Sequence, residues 1–286
     1  MKKVYTIAIL LFFAIFAVAC GDKANESNNA SEKEKTLWDE IEESGEFVVG
    51  TSGTLIASSY YNDDNELTGF DVEVVKEVAK RLGVDVKFEI MGIDSMLPAI
   101  KSGRVHAAAN DIEITPNRSE QFNFSEPYKY SYTTMAVRKA DNSGIESLED
   151  LKGKRAGGGA TTIYSQIAEQ FGAEVVTYGN APNEAYLRDV NDGETDVVIN
   201  DYYLTKFGVA AFPDFDIHLH PTLKFHPTKT GIILPKGEDE LTEKINEALS
   251  EMREDGTLTK LAEEFYLEDA SKEPEGDIIE IEGLDL

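Results

Sequence analysis

The chain has 286 residues and carries 54 acidic against 27 basic side chains, a formal charge of −27. So acidic a balance excludes nucleic acid as a partner and speaks to solubility rather than to fold. The single cysteine, Cys20, rules out a disulfide within one chain.

Lys2 and Lys3 precede an apolar run from Ile7 to Ala19, too short and wrongly flanked for a membrane span. Residues 1–19 therefore read as a signal peptide, and losing its two lysines takes the charge from −27 to −29. It ends Ala17-Val18-Ala19-Cys20-Gly21, which resembles a lipobox, with Cys20 at the position that receives lipid. Residues 20–36 then form a lipid anchor and a polar tether unable to bury enough apolar surface to fold. The expected location is the extracytoplasmic face of the cell membrane, held by lipid.

Folding is expected to start near Leu37, and about 230 residues are enough for two lobes with separate cores. Phe47-Val48-Val49-Gly50 reads as a strand. Val74, Val75, Val78, Ala79 and Leu82 fall on one face of a helix over 71–82 that Gly83 stops. Residues 84–90 alternate as a half-buried strand, a helix fits 95–102, and Ala107-Ala108-Ala109 leads into a strand end at Asn110. Repeated βα units of this kind imply parallel sheets with helices on their faces. After the strand 133–138, the break Asp141-Asn142-Ser143-Gly144 marks a lobe boundary. The resulting partition is lobe 1 over 37–138, lobe 2 over 139–230, a return to lobe 1 over 231–267, and an acidic tail over 268–286. Lobe 2 repeats the theme with a Gly157-Gly158-Gly159 turn, a helix over 162–171, a strand over 174–178 and the apolar run Val197-Val198-Ile199. The amphipathic helices 241–252 and 258–265 pack back on lobe 1.

Four motifs in order resemble the solute-binding proteins of polar amino acid ABC importers, bacterial extracellular solute-binding protein family 3. They are Leu67-Thr68-Gly69-Phe70-Asp71-Val72; Ile114-Thr115-Pro116-Asn117-Arg118 with Phe124-Ser125-Glu126-Pro127-Tyr128; residues 147–154; and residues 252–257. The resemblance covers nearly everything from Glu46 to Tyr266. It implies a periplasmic-binding-protein-like α/β fold, two lobes joined by a two-strand hinge, that closes on an amino acid and delivers it to importer membrane subunits. It implies a monomer, no catalysis and no cofactor.

An amino acid zwitterion needs a cation and oriented amides for its carboxylate, and a carboxylate for its ammonium. The resemblance places Arg118 on the ligand carboxylate, where its planar fork binds in a way that Lys would not reproduce. It places the Gly159-Ala160-Thr161-Thr162 turn, at a helix N-terminus, on the same carboxylate. It pairs Asp201, after a buried strand, with the ligand's α-ammonium. The bland alternatives are a surface Arg, a plain helix cap at Thr161 or Thr162, and an Asp that forms a turn.

The departures bear on the ligand. Where relatives carry a specificity carboxylate and aromatic stackers, this chain has Ser52, Leu55 and Ile93. Tyr60, Tyr61, Tyr202 and Tyr203 are lower-ranked replacements for the stackers. Asn110-Asp111-Ile112-Glu113 stands where small or hydroxyl residues are usual. Asp111 and Glu113 share one strand face, and that face points either into the cleft, suiting a ligand with more than one ammonium, or into solvent. Asn110 resembles the Ala-Asn pattern of cystine-type binders, so cystine and other polar or sulfur-containing amino acids lead the candidates.

Two other classes remain. A few relatives are cyclohexadienyl dehydratases, and clustered carboxylates suit a general acid. His218-Leu219-His220, with His226 nearby, suggests a metal receptor, against solvated strand histidines as the plainer alternative.

Overall fold

The computed structural model describes residues 35–178 and 181–284; Cys20, the signal segment and most of the tether lie outside the described residues. No described helix is long and apolar enough to cross a membrane.

Lobe 1 opens with α1 (Leu37–Ser44), where Thr36 and Asp39 form a capping box. Then come β1 (Glu46–Thr51) and a small antiparallel flap of β2 (Thr54–Leu55), β3 (Ser59–Tyr61) and β4 (Leu67–Thr68). Next are α2 (Phe70–Leu82), ended by Gly83 at φ 75°, then β5 (Asp85–Ile90), α3 (Ile93–Lys101), β6 (Ala107–Ala108), α4 (Pro116–Gln121) and β7 (Phe122–Phe124). Glycine is required before α2: Gly69 has φ 120°, and a Cβ there would meet the Ser58 carbonyl oxygen at 2.4 Å.

The chain crosses into lobe 2 with β8 (Lys129–Arg138), followed by β9 (Arg155–Gly158), α5 (Ile163–Gln170), β10 (Glu174–Thr177), α6 (Asn183–Asp192), β11 (Val198–Asp201), α7 (Tyr202–Ala211), β12 (Ile217–Leu219) and β13 (Phe225–Thr230). It returns to lobe 1 with β14 (Ile233–Pro235), α8 (Asp239–Glu254) and α9 (Thr257–Tyr266).

The lobe 1 sheet has the order β5-β1-β6-β14-β7, with β5, β1 and β6 parallel. Side chains alternate through it. Phe47 and Val49 join the core under α2, α8 and α9, while Val48 joins the opposite core under α3. In lobe 2, β11 pairs antiparallel with one edge of β8, and β12 and β13 share the other. The parallel pair β10-β9 attaches through the Ala156–Val197 bridge. Met135 and Val137 face one core and Ala136 the other.

One outcome differs from the expected partition. The strand expected to close lobe 1 pairs along its length with lobe 2 strands, so the crossing lies between Phe124 and Lys129 and not at 141–144. A break in local pattern marks a loop, whereas sheet membership is set by distant partners. The acidic tail packs against the body where described. Ala270 is fully buried and accepts from Tyr130 N; Ile279 bridges Phe225; Ile281 and Leu284 pack on the lobe 2 core. The hinge consists of β8 and β13, paired from Lys129↔Thr230 onward.

Candidate functional site

A cavity of about 120 Å³ lies between the lobes, room for roughly ten waters or a ligand with a similar number of heavy atoms. Lobe 1 contributes Leu55, Ile93, residues 110–113 and Arg118; lobe 2 contributes Gly157 to Gly159, Thr162 to Tyr164, Asn183, Tyr186, residues 198–200 and Leu204. Ser52 lies on an adjoining cavity that shares Leu55, Ile93 and Asn110.

Arg118 is delivered by α4. Pro116 takes the first turn, where its missing N–H costs nothing, and the Thr115 hydroxyl accepts from Arg118 N at 3.3 Å. Its guanidinium makes one protein hydrogen bond among the described residues, Nη1 to the Glu113 carbonyl at 3.0 Å. Burial pulls its pKa down, with the Glu113 carboxylate opposing. Opposite, Thr162 caps α5 by accepting from Ser165 N at 3.2 Å. The first-turn amides of Ile163 and Tyr164 have no acceptor within the helix. Three glycines bare the backbone here, and a Cβ on Gly158 would meet Ser165 Oγ at 2.5 Å and displace it from its bond to the Gly159 carbonyl. Thr161 joins the lobes directly: its N and Oγ1 donate to Asp94 Oδ1 at 3.2 and 2.6 Å.

Asn110 accepts from Ser52 N at 2.9 Å, which orients its amide and ties Ser52 to the strand end. Asp111 and Glu113 both line the cavity, and each already has a partner. Glu113 Oε1 meets His226 Nε2 at 2.7 Å, and Asp111 Oδ1 meets Lys129 Nζ at 2.5 Å. Asp111 sits at φ 53°, a backbone conformation costly for a non-glycine residue. Its N–H is held by Asp71 Oδ2 at 2.5 Å, and Asp71 also accepts from Ser58 Oγ and Tyr128 OH.

Asp201 stands apart from the cavity walls. Its Oδ1 caps α7 by accepting from Tyr203 N and Leu204 N, and lies 3.0 Å from Lys129 Nζ. Burial would drive the Lys129 pKa down, but Asp111 and Asp201 more than reverse this and hold it well above its ordinary value. Burial raises Asp201 to about 6, and raises Asp71 to about 6 with Asp111 adding to it.

The structure thus brings together Arg118, Thr162, Asn110, Asp111, Glu113, Leu55 and Ile93, puts Ser52 and Thr161 at the margins, and sets Asp201 behind the site. Tyr202 and Tyr203 stack on Tyr132 and Tyr266 at the hinge side, away from the cavity. His218 bonds Asn142, and His220 Nε2 bonds the Ile145 carbonyl while its Nδ1 accepts from Leu223 N. Among the described residues no group of three potential ligands could hold a metal ion. Sequence reasoning missed Lys129, Asp94, Tyr164, Asn183, Tyr186 and Asn200. For Lys129 there was no local signal, because its two carboxylate partners converge on it from distant segments.

The description "Bacterial extracellular solute-binding proteins, family 3" matches residues 47–268. The chain is 50% identical over 277 residues to the probable ABC transporter extracellular-binding protein YckB of Bacillus subtilis, covering 96% of this chain and 94% of that one. It is 34% identical over 280 residues to the L-cystine-binding protein TcyA of the same species, covering 95% and 100%. A crystal structure of a Bacillus subtilis protein at 52% identity superposes with TM-score 0.69, covering 86% of this chain and 99% of that one. Ordered motifs, two-lobed architecture and these similarities converge: the chain belongs to the bacterial extracellular solute-binding proteins, family 3.

Proposed function

We propose that this protein captures an amino acid in the cleft between its lobes and delivers it to an ABC importer. The observation that carries this is Arg118, a cavity-wall cation with no carboxylate in salt-bridge contact among the described residues, lining the same cavity as the start of α5, Ile163 and Tyr164. A ligand carboxylate that bridges the two bonds to both lobes at once, so it favours the form in which they meet. The Thr161–Asp94 contact forms in that same arrangement. Cystine heads the candidate ligands, supported by Asn110 and by the relative named for L-cystine. The protein acts as a monomer without catalysis: Asp111 and Glu113 are each held by a cation or imidazole and not poised as a free acid. Cys20 carries the lipid that keeps it at the outer face of the cell membrane.

Calorimetric titration with L-cystine, L-glutamine, L-arginine and L-histidine tests the central claim, and at least one is expected to bind with a single site. Heat from none of them removes the amino acid reading, and turnover of a cyclohexadienyl acid removes the non-catalytic one. For the anchor, Cys20→Ala is expected to release the protein into the medium; unchanged membrane retention would refute lipid attachment.

A further inference from the structure

Lys129 is the least expected residue of the molecule. It begins the hinge strand β8, its side chain is 0% exposed, and its ammonium touches Asp111 of lobe 1 and Asp201 of lobe 2. The rings of Tyr203 and Tyr266 also lie 5.6 and 5.5 Å from Nζ, which adds cation–π attraction in a dry setting. The aspartate that the family resemblance pairs with a ligand's ammonium has an ammonium already, supplied by the chain itself. Its other work, capping α7 through Oδ1, also turns it away from the cavity.

The cavity wall has unsatisfied acceptors of its own. Asp111 Oδ2 and Glu113 Oε2 are buried without a hydrogen-bond partner among the described residues, and both residues form the cavity wall. Their side chains are 3% and 8% exposed. The third such oxygen, Asp201 Oδ2, belongs to a residue outside that wall. A buried carboxylate oxygen left unpaired is costly, and two converging on one cavity suit a donor with several N–H bonds.

We propose that Lys129 determines specificity by acting as an internal ammonium that occupies Asp201, so that the ligand's ammonium is taken instead by the carboxylates of Asp111 and Glu113. This rests on the amino acid reading given above. Glu113 keeps its place through His226 Nε2 and Asp111 through Lys129 and Thr230 Oγ1, so both are oriented before a ligand arrives. Asp201 becomes part of the hinge, not of the recognition surface.

The test measures the affinity of full-length protein for L-cystine, L-glutamine and L-arginine, each against the same compound without its α-ammonium: dithiodipropionate, glutaramate and guanidinovalerate. For whichever amino acid binds, Glu113→Gln, which can still accept from His226, is expected to reduce the preference over the deaminated compound by about tenfold or more. Asp201→Asn, which retains a helix-capping oxygen, is expected to change that preference by less than about threefold. The opposite pattern, preference lost in Asp201→Asn and kept in Glu113→Gln, overturns the assignment. A crystal structure of the parent with the bound amino acid is independent of how the variants fold: nitrogen on Asp111 and Glu113 supports the assignment, nitrogen on Asp201 refutes it. A parent that binds none of the three amino acids defeats the amino acid reading itself, a failure visible before any variant is compared.

Discussion

Lys129 and Arg118 are two cations about ten residues apart in sequence, in opposite conditions. Lys129 is fully buried with two carboxylates within 3.0 Å, whereas Arg118 reaches the cavity wall with a backbone carbonyl as its only guanidinium partner among the described residues. Burying a charge without a counter-ion is unfavourable, so the second arrangement persists only where something else repays it. On the function proposed above, that something is the ligand. The contrast separates architecture from site by asking which charges are already matched.

The difference is sharpest if each cation is removed. Lys129→Met strands Asp111 and Asp201 as buried carboxylates and is expected to lower stability by ~3–5 kcal/mol. At this chain length that is a fall of roughly 10 °C in melting temperature. A variant as stable as the parent would erase the distinction. Arg118→Ala is expected to do the reverse, weakening ligand binding by about 2–3 kcal/mol, roughly a hundredfold, with a melting temperature close to the parent's. Equal affinity in titration would remove Arg118 from the site.

The matched region also has a pH signature. Asp71 and Asp201, both raised to about 6 by burial, bind protons more tightly folded than unfolded. Their contribution to stability is greatest below the ordinary carboxylate range and is lost as pH rises through about 6. Denaturation at pH 7 and pH 5 is expected to find the protein more stable at pH 5, by of order 2 kcal/mol; no change would mean the network stays ionised throughout. The smallest effect belongs to the cleft mouth. Thr161→Val removes the hydroxyl that donates to Asp94 and is expected to cost ~1 kcal/mol of closed-state stabilisation, seen as about fivefold faster ligand release in stopped flow. Release at the parent's rate would show that this contact does not hold the cleft.

Much of the frame was legible from periodicity. Residues 84–90 alternate and form β5, and the apolar spacing in 71–82 yields α2, ended by Gly83. Arg118 was singled out by the family resemblance, and the helix start at Thr162 could be located because turn chemistry is local: a threonine after glycines caps a helix. Lys129 could not be. A lysine in a strand ordinarily reads as solvated, and only the register of β8 against β13, with Asp111 and Asp201 converging from distant segments, shows otherwise. Asp201 likewise has a partner, Lys129, that its neighbours in sequence do not reveal. Composition showed the tail only as acidic; in the fold Ile279 bridges Phe225, and Ile281 and Leu284 pack on the lobe 2 core.

That tail alters how the two lobes are joined. From the end of α9 at Tyr266 only Leu267 to Asp269 intervene before Ala270 bonds Tyr130 on β8, and the chain then runs along lobe 2. Among the described residues the lobes are therefore joined three times, not twice. Two covalent pivots leave a body free to swing and also to twist about the line between them. A third removes part of the twisting freedom, confining the lobes to a door-like path along which fewer shapes of guest can be enclosed.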